Sequence, residues 1–470
     1  MSATIVWFRR DLRLDDQPAL QAAIDRGQPI VPVFLWSPEV EAPWQPGAAS
    51  RSWLHHSLES LSNQLRTRGS RLILRQGCSQ TLLDDLIKET GASAVYWNRL
   101  YDPTPRQRDE QVAGHLKKTG IDVRTFNGSL LLEPWDISTK QHNPYQVFTP
   151  FWNTALSTLR IPNEWTCPAR INTPHRIQDL QSEPLASLKL LPRLGWDTGF
   201  YNCWTPGVPG AEAQLERFLE TALSAYSDGR DRPDRTGTSR LSPHLHFGEI
   251  SVWKIWRTIT QRVSQAANSR KSSEFFLREL GWREFAHHLL HHFPETTHRP
   301  LRENFENFPW ESDERLLGKW QRGETGYPIV DAGMRELWQT GWMHNRVRMI
   351  AASFLTKDLR ISWQQGAAWF WETLVDADLA NNTLGWQWTA GCGADAAPYF
   401  RVFNPTTQSR KFDPAGEYIR RYIPELRHLP IKSLHEPGRA DASGYPPPMV
   451  EHREARELAL AAFESIQKNR

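Results

Sequence analysis

The feature that most limits how this chain can fold is a rhythm in its first 135 residues, where short apolar runs alternate with amphipathic ones. Ile5–Phe8, Ile30–Trp36, Arg71–Leu74, Ala94–Trp97 and Val123–Phe126 read as strands, and the stretches 17–26, 50–68, 79–90 and 105–119 read as helices. Strands that each lead into a helix predict a parallel sheet with helices on both faces, so residues 1–135 are expected to form an α/β domain. No GxGxxG follows the first strand; Arg9-Arg10-Asp11 stands there instead. Any cofactor of this domain is therefore held in a mode other than the dinucleotide fingerprint. GxxxxGK[ST] does not occur either, which argues against a nucleotide-binding or adenylate-transferring enzyme.

Residues 136–210 are rich in proline, asparagine and threonine and read as an irregular interdomain linker. Within it, 194–210 carries Pro206, Pro209 and four glycines, a composition that predicts no regular element. From 211 to 470 the pattern is helical: Glu274–Phe293 and Trp338–Leu355 repeat apolar residues at three- and four-residue spacing, and Val450–Gln467 reads as a last helix. The expected fold is thus an α/β parallel-sheet domain followed by an all-helical C-terminal domain. Hydrophobic residues at 39% and charged residues at 23% suit a folded globular chain. A net charge of only +3 gives no general attraction to nucleic acid, so any basic patch must be local.

Cys78, Cys167, Cys203 and Cys392 lie far apart, without a CxxC pair or a Cys/His cluster. Neither a metal centre nor a disulfide framework is expected, which fits a reducing compartment. The chain opens on a strand rather than a basic-then-apolar leader, and no apolar stretch approaches the roughly 20 residues that span a bilayer. The expectation is a cytoplasmic protein with no membrane partner.

Tryptophan is over-represented, with 22 residues, ten of them between Trp282 and Trp388. Most are expected to be core, because indole fills a large volume and needs one hydrogen-bond partner. Three segments in this half carry chemistry. Thr236-Gly-Thr-Ser-Arg-Leu-Ser-Pro-His combines small hydroxyls and a glycine ahead of a helical run, which suits either a phosphate cradle or a plain helix cap. In Gly341-Trp-Met-His-Asn-Arg-Val-Arg-Met, Asn345 and Met349 share a helix face while Arg346 and Arg348 splay to either side, as a site or as solvated charges. In Asp376-Ala-Asp-Leu-Ala-Asn-Asn-Thr-Leu-Gly-Trp-Gln-Trp, two carboxylates stand ready for a metal, for arginines or for the hydroxyls and ring N–H groups of a ligand. No histidine or third carboxylate follows closely to complete a metal site.

Together these segments resemble the photolyase/cryptochrome family, and the resemblance covers nearly the whole chain. It begins at Ile5-Val-Trp-Phe-Arg-Arg-Asp-Leu-Arg and continues through Phe400-Arg-Val-Phe-Asn-Pro and Phe412-Asp-Pro to Arg421-Tyr-Ile-Pro-Glu-Leu. The resemblance implies that the helical domain holds FAD in a central pocket and that the α/β domain helps hold an antenna chromophore. Tyr226, Thr238, Ser239, Leu241 and Ser242 match the family's phosphate-binding set, and Arg283, Asn345, Arg348, Asp376 and Asp378 match its flavin pocket. Asn382 matches the residue facing the redox-active flavin nitrogen, where a neutral amide leaves the reduced, anionic flavin unopposed. The implied reaction is light-driven repair: excited reduced FAD gives one electron to a cyclobutane pyrimidine dimer flipped out of DNA, the ring splits, and the electron returns. Trp282 and Trp388 match the aromatic walls around the dimer, and Glu279 matches the acid that hydrogen-bonds the pyrimidine edge. Arg230, Asn345, Arg346, Met349 and Arg401 match other substrate-side positions. Trp386, Trp363 and Trp310 occupy the family's electron-transfer positions. A monomer is the family expectation.

Within the family, the stretches Leu100-Tyr-Asp-Pro, Glu133-Pro-Trp, Leu241-Ser-Pro-His-Leu-His-Phe-Gly-Glu and Val330-Asp-Ala-Gly-Met-Arg-Glu-Leu-Trp resemble plant cryptochromes, which are signalling photoreceptors. Asn382 in place of aspartate, the wall residue Trp282 and the lack of a long C-terminal tail point instead to the related bacterial branch called class III. Enzymes acting on (6-4) photoproducts carry histidines at the positions of Asn345 and Met349, and the DASH branch has tyrosine at that of Trp388. The folate contacts of well-known relatives are replaced by Asp102-Pro-Thr-Pro-Arg. The antenna expected from the class III likeness is methenyltetrahydrofolate held differently, with a deazaflavin or a second flavin as the alternatives. Phe276 stands where some relatives place a flavin-pocket tryptophan.

Overall fold

The computed structural model describes residues 2–265, 270–397, 400–436 and 444–467. Five strands, β1 (Ala3–Phe8), β2 (Ile30–Trp36), β3 (Ile73–Gln76), β4 (Ala92–Asn98) and β5 (Asp122–Phe126), form one parallel sheet in the order β3-β2-β1-β4-β5. Helices α1 (Pro18–Asp25), α2 (Ala48–Thr67), α3 (Ser79–Thr90) and α4 (Pro103–Lys118) connect them. Alternation along β1 explains the two layers. Val6 and Phe8 join a core with Leu20 of α1 and Trp53 of α2, while Ile5 and Trp7 join another with Leu83 of α3 and Leu116 of α4. Proline at the first position of α1 and α4 starts each helix where a missing N–H has no consequence. β3 begins at Ile73 rather than Arg71, whose side chain donates to the carbonyls of Gln178 and Leu180.

The connection that follows is more ordered than its composition predicts. Helix α5 (Phe148–Thr158) lies within it, because Phe148, Phe151, Trp152 and Ala155 recur at helical spacing and are all buried. Further on, Cys167, Ile171, Leu188 and Leu190 pack onto the α/β core. Helix α6 (Val208–Thr221) starts inside the stretch read as irregular, with a proline in its first turn.

The helical part contains α7 (Tyr226–Gly229), α8 (Ser242–His246), α9 (Val252–Gln265), α10 (Arg270–His292), α11 (Glu314–Arg322) and α12 (Pro328–Thr340). These are followed by α13 (Asn345–Ser353), α14 (Trp363–Thr373) and α15 (Leu379–Ala390), with shorter helices and a last one at His452–Gln467. The single helical run expected over Trp338–Leu355 is broken. Gly341 ends α12 with φ 67°, and a Cβ there would lie 2.6 Å from Val375 and 2.8 Å from Phe200. The chain then restarts at His344, whose ring Nδ1 accepts from the Arg346 N–H and caps α13. Burial pushes the His344 pKa down to about 4, which leaves the neutral ring able to accept.

The two halves are bolted together at Arg9–Arg13. Leu12 N–H donates to the Phe247 carbonyl at 3.0 Å, and Arg13 donates to the carbonyls of Asp15, Asp16, Gly128 and Gly248. Among the described residues no helix is long and apolar enough to cross a membrane, and no group of three or more His, Cys, Asp or Glu is placed to hold a metal ion.

Candidate functional site

A cavity of about 500 Å³ opens in the helical half between α10, α13, α14 and α15. On α10, Glu279 and Trp282 stand three residues apart and both line it. The restart of the chain at Asn345 brings Asn345, Arg346, Arg348 and Met349 of α13 to its wall. The turn before α15 brings Asp376 and Asp378, and α15 itself adds Asn382, Trp386 and Trp388. The sequence-expected cofactor and lesion residues thus meet largely in one space.

Charge in that space is arranged in pairs. Arg348 Nη2 reaches both oxygens of Asp376, at 3.0 and 2.8 Å, and the Ser242 hydroxyl donates to Asp376 at 2.6 Å. Arg230 pairs with Glu279, and Arg346 with Asp231 at 2.9 Å. Asp378 caps α15 by accepting from the Asn381 N–H at 2.9 Å. Burial opposes its charge, but His287, His246 and Arg283 face it and hold its pKa well below the usual carboxylate range. Asn382 donates its amide N–H to the Ala367 carbonyl at 3.0 Å, and its carboxamide lines the cavity. Arg346 Nε and Trp386 Nε1 are buried donors without a partner among the described residues.

Several expected residues stand outside the wall. Tyr226 is buried among Phe218 and Phe276, below Arg230. Thr238, Ser239 and Leu241 form the loop before α8, which abuts the cavity through the Ser242–Asp376 bond. Arg283 does not line the cavity: its guanidinium donates to the Ser129 carbonyl at 2.8 Å and to Glu284, because the domain seam supplies those buried acceptors. Arg401 stands in an adjoining recess that shares Trp388 and Thr389 with the main cavity.

The three tryptophans expected to carry electrons share one core. Trp386 lies against Gly366 of α14, where any Cβ would collide with its ring. Trp363 sits three residues before Gly366 on the same buried face. A parallel bridge between Glu311 and Ile361 brings the half-buried Trp310 to the start of α14.

Sequence reasoning missed Asp231, Asn381 and Asp395. Asp231 was legible as the acid between Arg230 and Arg232. Asp395 had no signal, since its place depends on a left-handed turn with φ 51°.

Comparison with known proteins agrees along the chain. Residues 4–170 match the family model described as DNA photolyase, and residues 276–465 match the FAD binding domain of DNA photolyase. A deoxyribodipyrimidine photo-lyase of Agrobacterium fabrum is 47% identical over 99% of this chain and 98% of its own length. Cryptochrome-1 of Arabidopsis thaliana is 39% identical over 96% of this chain and 69% of its own. The crystal structure of a bacterial class III photolyase from Agrobacterium tumefaciens superposes with a TM-score of 0.94 at 46% identity, covering 100% of this chain and 98% of that one. With that agreement in sequence, fold and both domains, the chain belongs to the photolyase/cryptochrome family.

Proposed function

We propose that this protein is a photolyase that uses light to split cyclobutane pyrimidine dimers in DNA. The observation that carries the reading is the one cavity that the Arg348–Asp376 pair, Asp378 and Asn382 share with Glu279 and two tryptophans, Trp282 and Trp388.

The residues present fit FAD. A flavin ring alternates carbonyl and N–H groups, and the wall offers the Asp376 and Asp378 carboxylates, the Asn345 and Asn382 amides and the Arg348 guanidinium. Arg348, Asp376, Asp378, Asn345 and Asn382 would hold the ring, and Tyr226, Thr238, Ser239, Leu241 and Ser242 the phosphates, with Arg283 supporting Asp378 from behind. When bound and reduced, FAD supplies on excitation the electron that opens the cyclobutane ring.

The chain's own residues prepare the substrate. Trp282 and Trp388 stack on the extruded dimer, and such stacking is worth about 1–3 kcal/mol per base. Glu279 hydrogen-bonds the pyrimidine edge, and its pairing with Arg230 fixes its direction. Replacing Glu279 by Ala lowers the repair yield but leaves lesion binding mostly intact; an unchanged yield refutes the role. Arg230, Arg346 and Arg401 meet the phosphates beside the lesion, with Asn345 and Met349 on its surface, and these contacts position the strand. Trp386, Trp363 and Trp310 carry electrons from the protein surface to the cavity. In Trp310→Phe, photoreduction of oxidised FAD fails while chemically reduced enzyme still repairs; photoreduction at the normal rate would place the route elsewhere.

The antenna is methenyltetrahydrofolate. The class III likeness supports it, and because Arg10 engages Asp102 the folate would be held by contacts other than those of well-known relatives. An absorption spectrum with no band beyond FAD after folate reconstitution would reject it.

The deciding experiment illuminates reduced protein with DNA carrying thymine dimers, against a dark control. Loss of dimers in light alone is the expected result. No loss from a flavin-loaded, reducible protein would make it a cryptochrome-type photoreceptor.

A further inference from the structure

Asp395 lies in the loop after α15 and lines the central cavity. Its left-handed backbone is a conformation that aspartate and asparagine adopt more readily than other residues bearing a Cβ. In that conformation three contacts converge on it. Its N–H donates to the Gln146 carbonyl at 3.1 Å, and its carbonyl accepts from the Trp388 indole N–H at 3.1 Å. Its carboxylate oxygen Oδ1 stands 3.4 Å from the Phe148 N–H, the first of α5. Val147, the N-cap of α5, provides no side-chain cap. Asp395 therefore supplies, from across the fold, the acceptor and negative charge that a helix N-terminus lacks.

Phe148 is the back of the opposite wall. Its ring lies flat on Trp282, with centroids 3.8 Å apart and planes 7° from parallel. Arg278 covers its other side at 4.9 Å from the ring centroid. Asp395 is thus bonded to one aromatic wall and to the helix end that backs the other. The cofactor-side residues bond elsewhere: Arg348 and Asn382 donate to the carbonyls of Met343 and Ala367, and Asp376 accepts from Ser242.

We propose that Asp395 is a positioning residue that sets the gap between Trp282 and Trp388, and with it the fit of an extruded pyrimidine dimer. The proposal rests on the dimer-repair reading above. It makes the loop after α15 a determinant of lesion recognition that leaves cofactor binding alone, and it makes α5 part of the lesion pocket.

The test uses the flavin-loaded full-length protein with dimer-containing and undamaged DNA. In Asp395→Ala, affinity for dimer DNA falls about tenfold while affinity for undamaged DNA and the bound flavin stay unchanged. Asp395→Asn keeps the acceptor and tolerates the left-handed backbone, so it recovers most of the loss. An Ala variant within about twofold of the parent on dimer DNA overturns the proposal. So does an Asn variant that falls as far as Ala, or flavin lost in parallel. Amide exchange at residues 146–149, measured without DNA, rises in the Ala variant; unchanged exchange also overturns the proposal. A parent protein that does not distinguish dimer DNA from undamaged DNA would instead refute the repair reading, and the exchange measurement would still decide whether Asp395 ties the loop to α5.

Discussion

Arg9-Arg10-Asp11-Leu12-Arg13 and Asn345-Arg346-Val347-Arg348 look alike as charged sequence, but their charges meet different surroundings. In the first run the guanidinium groups of Arg9 and Arg13 are buried in the fold. Arg9 pairs with Asp109 at 2.7 Å and lies on Trp7, while Arg13 is held by four main-chain carbonyls. In the second, Arg346 and Arg348 each hold one carboxylate, Arg348 also donates to the Met343 carbonyl, and both side chains line the cavity. An arginine enclosed by the fold is framework; one that borders a cavity is available for chemistry.

The comparison breaks most sharply at Asp376. Asp376→Asn strips the charge opposite Arg348 and is expected to weaken flavin retention by about 1.5–3 kcal/mol, the worth of a hydrogen bond to a charged group. The fold should survive, and the flavin-to-protein absorbance ratio after dialysis reads the effect. Full flavin content would move Asp376 from the working class into the framework.

Glu284 tests the seam between α10 and the chain at Leu131–Leu132. It accepts from the Leu131 and Leu132 N–H groups, and burial pushes its pKa up to about 7. A carboxyl raised in the folded state adds stability that is present below its ordinary value and lost as pH rises through the folded one. Unfolding midpoints of the wild type should therefore fall between about pH 4.5 and 7, whereas Glu284→Gln, which keeps an acceptor, should not share the fall. The difference at pH 8 is expected to be about 3 kcal/mol. Parallel pH profiles for the two proteins would show that Glu284 stays ionised without penalty.

The smallest effect on repair belongs to the framework run. Arg13→Ala should cost about 1.5–3 kcal/mol of stability, as expected for hydrogen bonds to a charged group, while repair per folded molecule is unchanged. A repair defect in fully folded protein would mean that Arg13 reaches the site.

Much of this was legible in the sequence, for local reasons. Strands β1, β2 and β4 announce themselves because each is largely apolar and leads into an amphipathic helix, whereas β5 carries Asp122 and Arg124 and leads into a loop. That Asp376 and Arg348 belong to one pocket came from motif likeness, and in the structure the two are in contact. What stayed hidden depends on contacts distant in sequence. The break at Gly341 is set by Val375 and Phe200, helix α5 forms around partners on α10, and the turn at Asp395 is fixed by Gln146 and Trp388. Composition alone misread α5, because Thr149 and Pro150 in its first turn look like loop residues.

Helix α5 also bears on how this architecture recombines. A chimaera that takes its helical half from a relative and joins the chains near residue 210 would pair one parent's Phe148 with the other parent's Trp282. A stack with planes 7° from parallel tolerates little mismatch. The interchangeable cassette therefore begins before Gln146, so that Gln146, Phe148, Trp282 and Asp395 travel together.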